Sequence, residues 1–224
     1  WPPVGFSLRW YAAMFTEPGL MQAARNSLVL GLAVTALSVL LATPAALVLA
    51  RSRFPGREAL LALLTAPLLL PTIVLGLALL IVFVGYGLVG SWPGLVLAHL
   101  LITLPYALRV LSTALSTLPA SVEEAAASLG ASPFTVFRRV TLPLIAPGVA
   151  AGAVLSFARA LGEFGATITF AGDFPGVTRT MPIAAYIALE SDPGSAYVIA
   201  VILLVVAIGV LFALRDRWVG GLSS

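Results

Sequence analysis

The sequence predicts an all-α fold, a polytopic membrane helix bundle, and two observations support this prediction. Of the 224 residues, 60% are hydrophobic and 9% are charged, and the mean hydropathy of +1.09 lies outside the range of soluble domains. Five apolar stretches each come close to the roughly 20 residues that a helix needs to cross the hydrocarbon core. The predicted spans cover residues 27–50, 59–84, 94–112, 144–164 and 196–214.

Arginine marks alternate loops between these spans. It occurs at Arg51, Arg53 and Arg57, at Arg138 and Arg139, and again at Arg215 and Arg217. Because cytoplasmic loops carry an excess of basic residues, these loops are predicted to be cytoplasmic, with the tail 216–224 among them. Residues 1–25, 85–93 and 165–195 are then outside. An external N-terminus predicts a sixth span upstream of Trp1.

The external segment 1–25 has the features of an interfacial helix. Ser7 is a suitable N-cap, and Trp10, Tyr11 and Phe15 follow at positions that favour the membrane surface.

Composition excludes several kinds of chemistry. The chain contains twelve arginines, no lysine and no cysteine, so it has neither a P-loop lysine nor a thiolate metal site. If ATP drives this protein, a separate chain must hydrolyse it. The net charge of +3 comes from loop arginines without a basic stripe, so nucleic acid is not a predicted partner.

A polar stretch, "LPASVEEAAASLGASPFTVFRRVTLP", interrupts the apolar chain between the third and fourth spans. Ser121 and Glu124 have capping-box spacing for a helix over 122–129, and Gly130 suits the left-handed position that ends it. The run of alanines at 125–127 gives this helix little apolar surface to bury. We therefore interpret it as a docking element for a partner protein rather than as an ordinary capped loop.

A second short helix is predicted directly after it. Ser132 is its expected N-cap and Pro133 suits its first turn. Arg138 and Arg139 are expected at its C-terminal end, where the helix dipole favours cations. Pro143 is expected to begin the return into the membrane.

The spacing within this stretch resembles a known motif. Glu124-Ala125-Ala126, Gly130, Val140 and Leu142-Pro143 match the form EAA-x3-G-x9-I-x-L-P of type I ABC importer permeases, with valine in place of isoleucine. The resemblance implies the MetI-like permease fold over residues 26–215. It also implies a cytoplasmic coupling region, 119–143, that inserts into a cleft on an ATP-binding subunit. The residues implied to couple to the ATPase are Glu123, Glu124, Ala125, Ala126, Gly130, Val140, Leu142 and Pro143.

A second resemblance concerns the substrate. The segments "LGEFGATITF" and "PG-x-T-x-T-x-P", within 160–190, are similar to the molybdate branch of these permeases, which has tungstate and sulfate relatives. The N-terminal "PVGFSLRWYAAMFTEPGL" is instead similar to the outer loop of polyamine or ferric-iron permeases. Molybdate is the predicted substrate, and these other substrates remain alternatives.

The resemblance implies an assembly in the cell membrane. This chain would be a transport subunit rather than an enzyme, and would bind no cofactor itself. Its implied partners are a second copy of itself, two ATP-binding subunits that use ATP and magnesium, and an external substrate-binding protein.

Charged and polar groups near the outer face are candidates for the pathway or its gate. Arg159 and Glu163 are four residues apart on one helix face, so we expect them to pair. Ionisable groups at membrane depth are functional candidates, although a purely structural pair is the alternative. The further candidates are Thr178, Arg179 and Thr180.

Two other polar residues receive structural interpretations. Arg109 is near the inner end of the third span, where its side chain can extend to the surface. His99 lies within that span without a nearby carboxylate or second histidine in the sequence. We interpret it as a helix-packing residue and not as a metal ligand.

Two other classes of protein fit the sequence less well than an ABC importer permease. A secondary transporter or channel would need no ATPase, but the chain lacks the matching broken segments of inverted repeats. An intramembrane enzyme would need a constellation of nucleophile, base or metal ligands, and the sequence shows no such constellation, with no cysteine, no lysine and one isolated histidine.

Overall fold

The computed structural model describes residues 18–219, and these are helical with no strand. The predicted interfacial helix around Ser7 to Phe15 and the end of the tail lie outside the described residues. The helices in chain order are α1 (Pro18–Arg51), α2 (Arg57–Thr65), a 3-10 turn (Ala66–Leu69), α3 (Thr72–Tyr86), α4 (Trp92–Thr117), α5 (Ala120–Ser128), α6 (Pro133–Val136), a π-helical turn (Phe137–Thr141), α7 (Leu142–Leu161), α8 (Gly165–Ala171), α9 (Met181–Ser191) and α10 (Pro193–Val219).

Several helices have the length and apolarity of membrane spans. Within residues 18–219, three continuous helices qualify, Gly19–Arg51, Trp92–Thr117 and Pro133–Leu161, and the bent pair of α2 and α3 can count as a fourth. α1 begins at Pro18 rather than at residue 27, so the helix extends into the predicted external segment. The fifth predicted span, 196–214, falls within α10.

The second predicted span, 59–84, is not one straight helix. The chain bends by 110° between its two halves, Arg57–Leu69 and Thr72–Tyr86. Pro71 stands at the N-cap of α3 with an extended ψ of 133°. Because proline disfavours helical geometry at the residue before it and lacks a backbone N–H, the chain turns at this point.

The segment before the fourth span also differs from the prediction. The helix that starts at Pro133 does not end after Arg139, but runs without a break to Leu161 through the π-helical turn. The wider turn immediately precedes Pro143, whose ring would crowd the carbonyl four residues earlier in a regular helix. Arg138 and Arg139 therefore lie inside a continuous helix rather than at a helix end.

The chain divides into two units. Unit 1 contains residues 18–33, Leu70–His99 and Ala158–Val210, and unit 2 contains Val34–Leu69, Leu100–Phe157 and residues 211–219.

In unit 1, α3 and α8 pack at close range. A Cβ atom at Gly76 would lie 2.8 Å from both the Cα and the carbonyl oxygen of Ala166. The rings of Phe83 and Phe170 meet edge to face, with centroids 5.7 Å apart. Small residues at such contacts let two helix backbones approach each other.

In unit 2, α1, α4 and α7 share an apolar core built largely from alanine and leucine. Its buried members are Ala42, Ala46, Leu49, Ala107, Leu108, Leu111, Leu115 and Ile145. Buried hydroxyls of Ser38 and Thr103 hydrogen-bond at 2.8 Å and link α1 to α4. This core fixes the helix ends from which the polar stretch between α4 and α7 extends.

Candidate functional site

Helix α5 carries the first half of the EAA-like pattern. It begins at Ala120, and Pro119 occupies the N-cap without any side-chain cap bond. The predicted capping box of Ser121 and Glu124 is therefore wrong, because the helix starts directly after the extended backbone of Pro119, two residues earlier than expected. Ser121 lies exposed in the first turn.

The end of α5 matches the prediction. Gly130 has a φ of +86°, which favours glycine. Its N–H donates to the carbonyl of Ala127 at 2.9 Å, and the N–H of Ala131 donates to Ala126 at 3.2 Å. This pair of bonds is the Schellman arrangement, in which a left-handed residue satisfies the last carbonyls of a helix.

The start of the next helix also matches. The Ser132 hydroxyl accepts a hydrogen bond from the Thr135 N–H at 3.3 Å, and Pro133 occupies the first turn. The result is a tight turn of Gly130, Ala131 and Ser132 between α5 and the long helix that continues as α7.

The carboxylate of Glu123, on α5, joins α5 to α1. Glu123 Oε2 accepts a hydrogen bond from Arg51 Nε at 2.6 Å, and Glu123 Oε1 accepts one from the Thr141 hydroxyl at 2.5 Å. Arg51 Nη2 also donates to the Leu118 carbonyl at 2.9 Å. The Glu123 side chain is 16% exposed and that of Arg51 is 24% exposed. Glu123 thus ties α5 to the end of α1 and to the π-helical turn.

The exposed surface around the tight turn after α5 is apolar. Leu129 is 90% exposed and Phe134 is 69% exposed, on either side of the tight turn. Glu124 and Ala125 are exposed as well. We call Leu129 and Phe134 with Glu124 and Ala125 the docking face, since nothing within unit 2 covers these side chains.

The second half of the motif lies where the π-helical turn becomes α7. Val140 and Leu142 are half-buried and Pro143 is exposed. The two halves of the motif are therefore the two arms of one helical hairpin. A cavity of about 410 Å³ separates the arms, lined by Glu123, Ala127, Ala131, Val136, Phe137 and Thr141 among others.

The predicted pair of Arg159 and Glu163 forms in unit 1. Arg159 Nη1 lies 2.5 Å from Glu163 Oε2, and the Glu163 side chain is only 2% exposed, against 21% for Arg159. The other oxygen of Glu163 accepts the Ala166 N–H at 2.7 Å. Glu163 thus serves both as an ion-pair partner and as the cap of α8.

The loop from Gly172 to Thr180 is held by its own polar groups. Arg179 binds Asp173 through two hydrogen bonds, Nε to Oδ1 at 2.6 Å and Nη2 to Oδ2 at 2.5 Å. This bond raises the pKa of the Arg179 guanidinium above its ordinary value, so the side chain stays charged. The buried Thr178 hydroxyl accepts the Phe174 N–H at 3.1 Å.

Asn26 and Ser27 of α1 fasten this loop from the other side. The Asn26 amide donates to the Arg179 carbonyl at 3.0 Å, and the Ser27 hydroxyl accepts the Met181 N–H at 2.8 Å. Thr180 is 3% exposed, and its hydroxyl makes no hydrogen bond within residues 18–219. Thr178 and Thr180 are therefore buried, whereas Arg179 is partly exposed.

His99 is also buried in unit 1, with 1% of its surface exposed. Its Nδ1 donates to the Leu95 carbonyl at 2.9 Å, so Nε2 is left to accept from the Thr167 hydroxyl at 3.4 Å. No group of three potential metal ligands occurs within residues 18–219. The geometry is that of a histidine that joins α4 to α8.

The sequence-predicted residues therefore fall into two groups. The coupling candidates meet in unit 2, and the pathway candidates Arg159, Glu163 and 178–180 belong to unit 1. Sequence reasoning missed the roles of Arg51 and Thr141. The sequence indicates only a topological role for Arg51, because no local spacing relates it to a carboxylate 72 positions away.

Comparisons with known proteins agree on one class of protein. Residues 38–220 match the family model described as "Binding-protein-dependent transport system inner membrane component". The Molybdenum transport system permease protein ModB of Mycobacterium tuberculosis is 44% identical over 232 residues, which cover 96% of this chain and 88% of that protein. ModB of Escherichia coli is 36% identical, over 88% of this chain and 94% of that protein.

A relative with a different name is the "Probable sulfate transport system permease protein cysT" of Nephroselmis olivacea. It is 33% identical, over 93% of this chain and 78% of that protein.

Two solved structures have the same fold. A bacterial ABC transporter involved in the import of the acidic polysaccharide alginate has a chain that superposes with a TM-score of 0.72 at 18% identity, covering 96% of this chain and 84% of that chain. A chain of the MetNI methionine ABC transporter in an inward-facing conformation superposes with a TM-score of 0.70 at 18% identity, covering 93% of this chain and 100% of that chain.

Proposed function

This chain belongs to the family of binding-protein-dependent transport system inner membrane components, and on that premise we propose that it forms the membrane pathway of a molybdate importer. The predicted family and the predicted all-α permease fold are confirmed. The chain is accordingly a multi-pass membrane protein and a transport subunit. The substrate, the partners and the coupling residues are the proposed part.

The main support for molybdate as the substrate is the 44% identity to a molybdenum permease over 96% of this chain. The relative named for sulfate is less similar, at 33%. Sulfate and molybdate are both tetrahedral oxyanions, so sulfate, like tungstate, is the nearest competing substrate. We favour molybdate as the substrate because the higher identity extends over almost the whole chain.

The proposed coupling step begins at the docking face. We infer that the α5 hairpin, within the coupling region 119–143, inserts into a groove on a separate ATP-binding subunit. The exposed side chains of Leu129 and Phe134 support this proposal, because large apolar groups at the tip of a short helical hairpin favour a partner over water. Gly130 allows the left-handed backbone that the turn at this tip requires, and the rest of the EAA-like residues form the hairpin arms.

Transmission from the hairpin to the membrane would use Glu123. Its carboxylate contacts both Arg51 at the end of α1 and Thr141 at the start of the fourth span. A displacement of α5 by the ATP-binding subunit would therefore act on both spans. The π-helical turn is the expected site of adjustment, because such turns interrupt regular helical hydrogen bonding and are common at functional positions.

The assembly proposed for this chain has four further components. They are a second copy of the chain, two ATP-binding subunits that hold ATP and magnesium, and an external substrate-binding protein. The chain itself would bind no cofactor. The arginines at 51, 53 and 57 and those at 138 and 139 belong to the same unit as the hairpin, and this shared excess of basic residues supports a cytoplasmic location for that end of the unit.

Within the pathway, Arg159 is the proposed cation for the passing oxyanion. Its side chain is partly exposed, while its partner Glu163 is almost fully buried. A buried carboxylate would hold the guanidinium in place and moderate its charge, so that an anion is attracted without being trapped.

Calorimetric titration of the cognate binding protein with molybdate, tungstate and sulfate tests the substrate. We expect tight binding of molybdate and tungstate, and binding of sulfate that is weaker by at least an order of magnitude. Tight binding of sulfate alone would transfer the proposal to the sulfate branch. Binding of a polyamine or ferric iron in place of any oxyanion would refute it.

A further inference from the structure

We propose that the loop between α1 and α2 forms a binding site for a phosphate-bearing anion. Arg51, Arg53 and Arg57 all line one open cavity of about 650 Å³ in unit 2. That volume is within the range of about 300–1,000 Å³ that small-molecule sites occupy. Arginine side chains at a cavity are suited to phosphate oxygens, which a guanidinium binds through paired hydrogen bonds.

The charge balance of the cavity leaves one cation uncompensated. Arg51 pairs with Glu123, and Arg57 pairs with Glu58, which also lines the cavity. Arg53 is exposed and makes no hydrogen bond or ion pair within residues 18–219. The site therefore has a net charge of one positive unit when both carboxylates are counted, and that charge belongs to Arg53.

Backbone groups add to this preference for an anion. α2 begins after Gly56, which has a φ of +85° and leaves the first turn without a side-chain cap. Glu58 and Ala59 of this first turn line the cavity. The N-terminus of a helix carries a partial positive charge and presents backbone N–H groups to an anion. The Arg57 side chain does not fill that position, since its Nε donates to the Leu49 carbonyl at 2.7 Å.

The ligand has two sources with the same chemistry, the headgroup of an anionic phospholipid and free inorganic phosphate. The surroundings favour the phospholipid. Leu60 and Leu63 follow the cavity on one face of α2 and are 39% and 70% exposed, so acyl chains can lie against them. Basic pockets at the cytoplasmic ends of membrane helices are recognised sites for anionic headgroups.

Arg53→Gln is the test substitution, because Arg51 and Arg57 both have structural partners and Arg53 has none among the described residues. Arg138→Gln is the matched control, since Arg138 is also exposed and in unit 2 but does not line the cavity. Both variants lose one surface charge, so a general charge effect changes both equally.

Native mass spectrometry of the assembled transporter would compare retention of phosphatidylglycerol with that of phosphatidylcholine. We expect the unmodified protein and Arg138→Gln to retain phosphatidylglycerol preferentially, and Arg53→Gln to bind it about fivefold more weakly. A second arm would measure inorganic phosphate binding by equilibrium dialysis in phosphatidylcholine nanodiscs. Phosphate binding that Arg53→Gln weakens, without any lipid preference, would keep the site and assign it to free phosphate. If Arg53→Gln and Arg138→Gln behave alike in both arms, the proposal is wrong.

Discussion

Arg51 and Glu123 form an ion pair of 2.6 Å that joins the end of the first long helix to the α5 hairpin, although 72 positions separate them in the chain. The same carboxylate holds the Thr141 hydroxyl. A short helix such as α5, which has no buried residue of its own, therefore gains a fixed position from polar contacts rather than from apolar packing. This relationship underlies the proposed coupling.

Glu123→Gln should weaken the attachment of α5. The variant loses the charge that Arg51 binds, and we expect the free energy of unfolding to fall by about 1.5 kcal/mol, as for hydrogen bonds to charged groups. Denaturation of the purified permease in mixed micelles would measure this change. Glu124→Gln is the control for stability, because the exposed Glu124 should change it by less than about 0.5 kcal/mol. Equal losses in the two variants would contradict the role given to Glu123.

Gly130→Val should uncouple ATP hydrolysis from transport. Valine is strained at a φ of +86°, at a cost of about 1–2 kcal/mol, so the tip of the docking face should change shape. Gly87→Val is the matched control, since Gly87 also has a positive φ, of +65°, with open space around it, and lies between α3 and α4. The measured quantity is the number of ATP molecules hydrolysed per molybdate ion imported. A rise in both variants, or in neither, would show that the hairpin tip has no special role.

Because α3 packs closely against α8 at Gly76, replacing glycine by alanine should change stability differently at Gly76 and at Gly85, both of which lie in α3. Gly76→Ala places a Cβ 2.8 Å from the backbone of Ala166, so it should destabilise the permease by about 1–3 kcal/mol. Gly85→Ala meets nothing within 4 Å, so it should be neutral or stabilise the helix by up to about 1 kcal/mol. Thermal unfolding of both variants provides the comparison, and a loss at Gly85 equal to that at Gly76 would disprove the packing.

Substitutions of Arg159 and Glu163 should affect the stability of the permease and its molybdate uptake differently. Arg159→Gln leaves the carboxylate of Glu163 buried without its ion-pair partner, and we expect a loss of about 3–5 kcal/mol in stability. The double variant Arg159→Gln/Glu163→Gln removes both charges and keeps an oxygen to cap α8, so most of that stability should return.

Molybdate uptake by the double variant then decides between the two interpretations of this pair. Uptake should remain at least tenfold below that of the unmodified transporter if the Arg159 charge serves the passing anion. Recovery of uptake together with stability would make the pair purely structural.

The sequence was sufficient for features that depend on local chemistry. The left-handed Gly130, the Ser132 cap and the pairing of Arg159 with Glu163 each follow from residue type and short spacing, and each was confirmed. The family also followed from spacing, because the EAA-like pattern fixes several positions at once, and it was confirmed by the comparisons.

Features that depend on competing local preferences or on distant contacts could not be predicted. The 110° break before α3 arises because Pro71 outweighs the apolar periodicity around it. The helix continues past Arg139 because a π-helical turn accommodates Pro143, which sequence patterns alone would place at a boundary. The contact between Arg51 and Glu123 requires the tertiary arrangement of α1 and α5.

The most direct test of the central claim is uptake of radioactive molybdate into proteoliposomes that contain this permease and its ATP-binding subunits, supplied with the binding protein. The account predicts accumulation that requires both ATP and the binding protein, and that excess tungstate inhibits. Accumulation at the same rate without ATP would identify a secondary transporter or channel and would contradict the account.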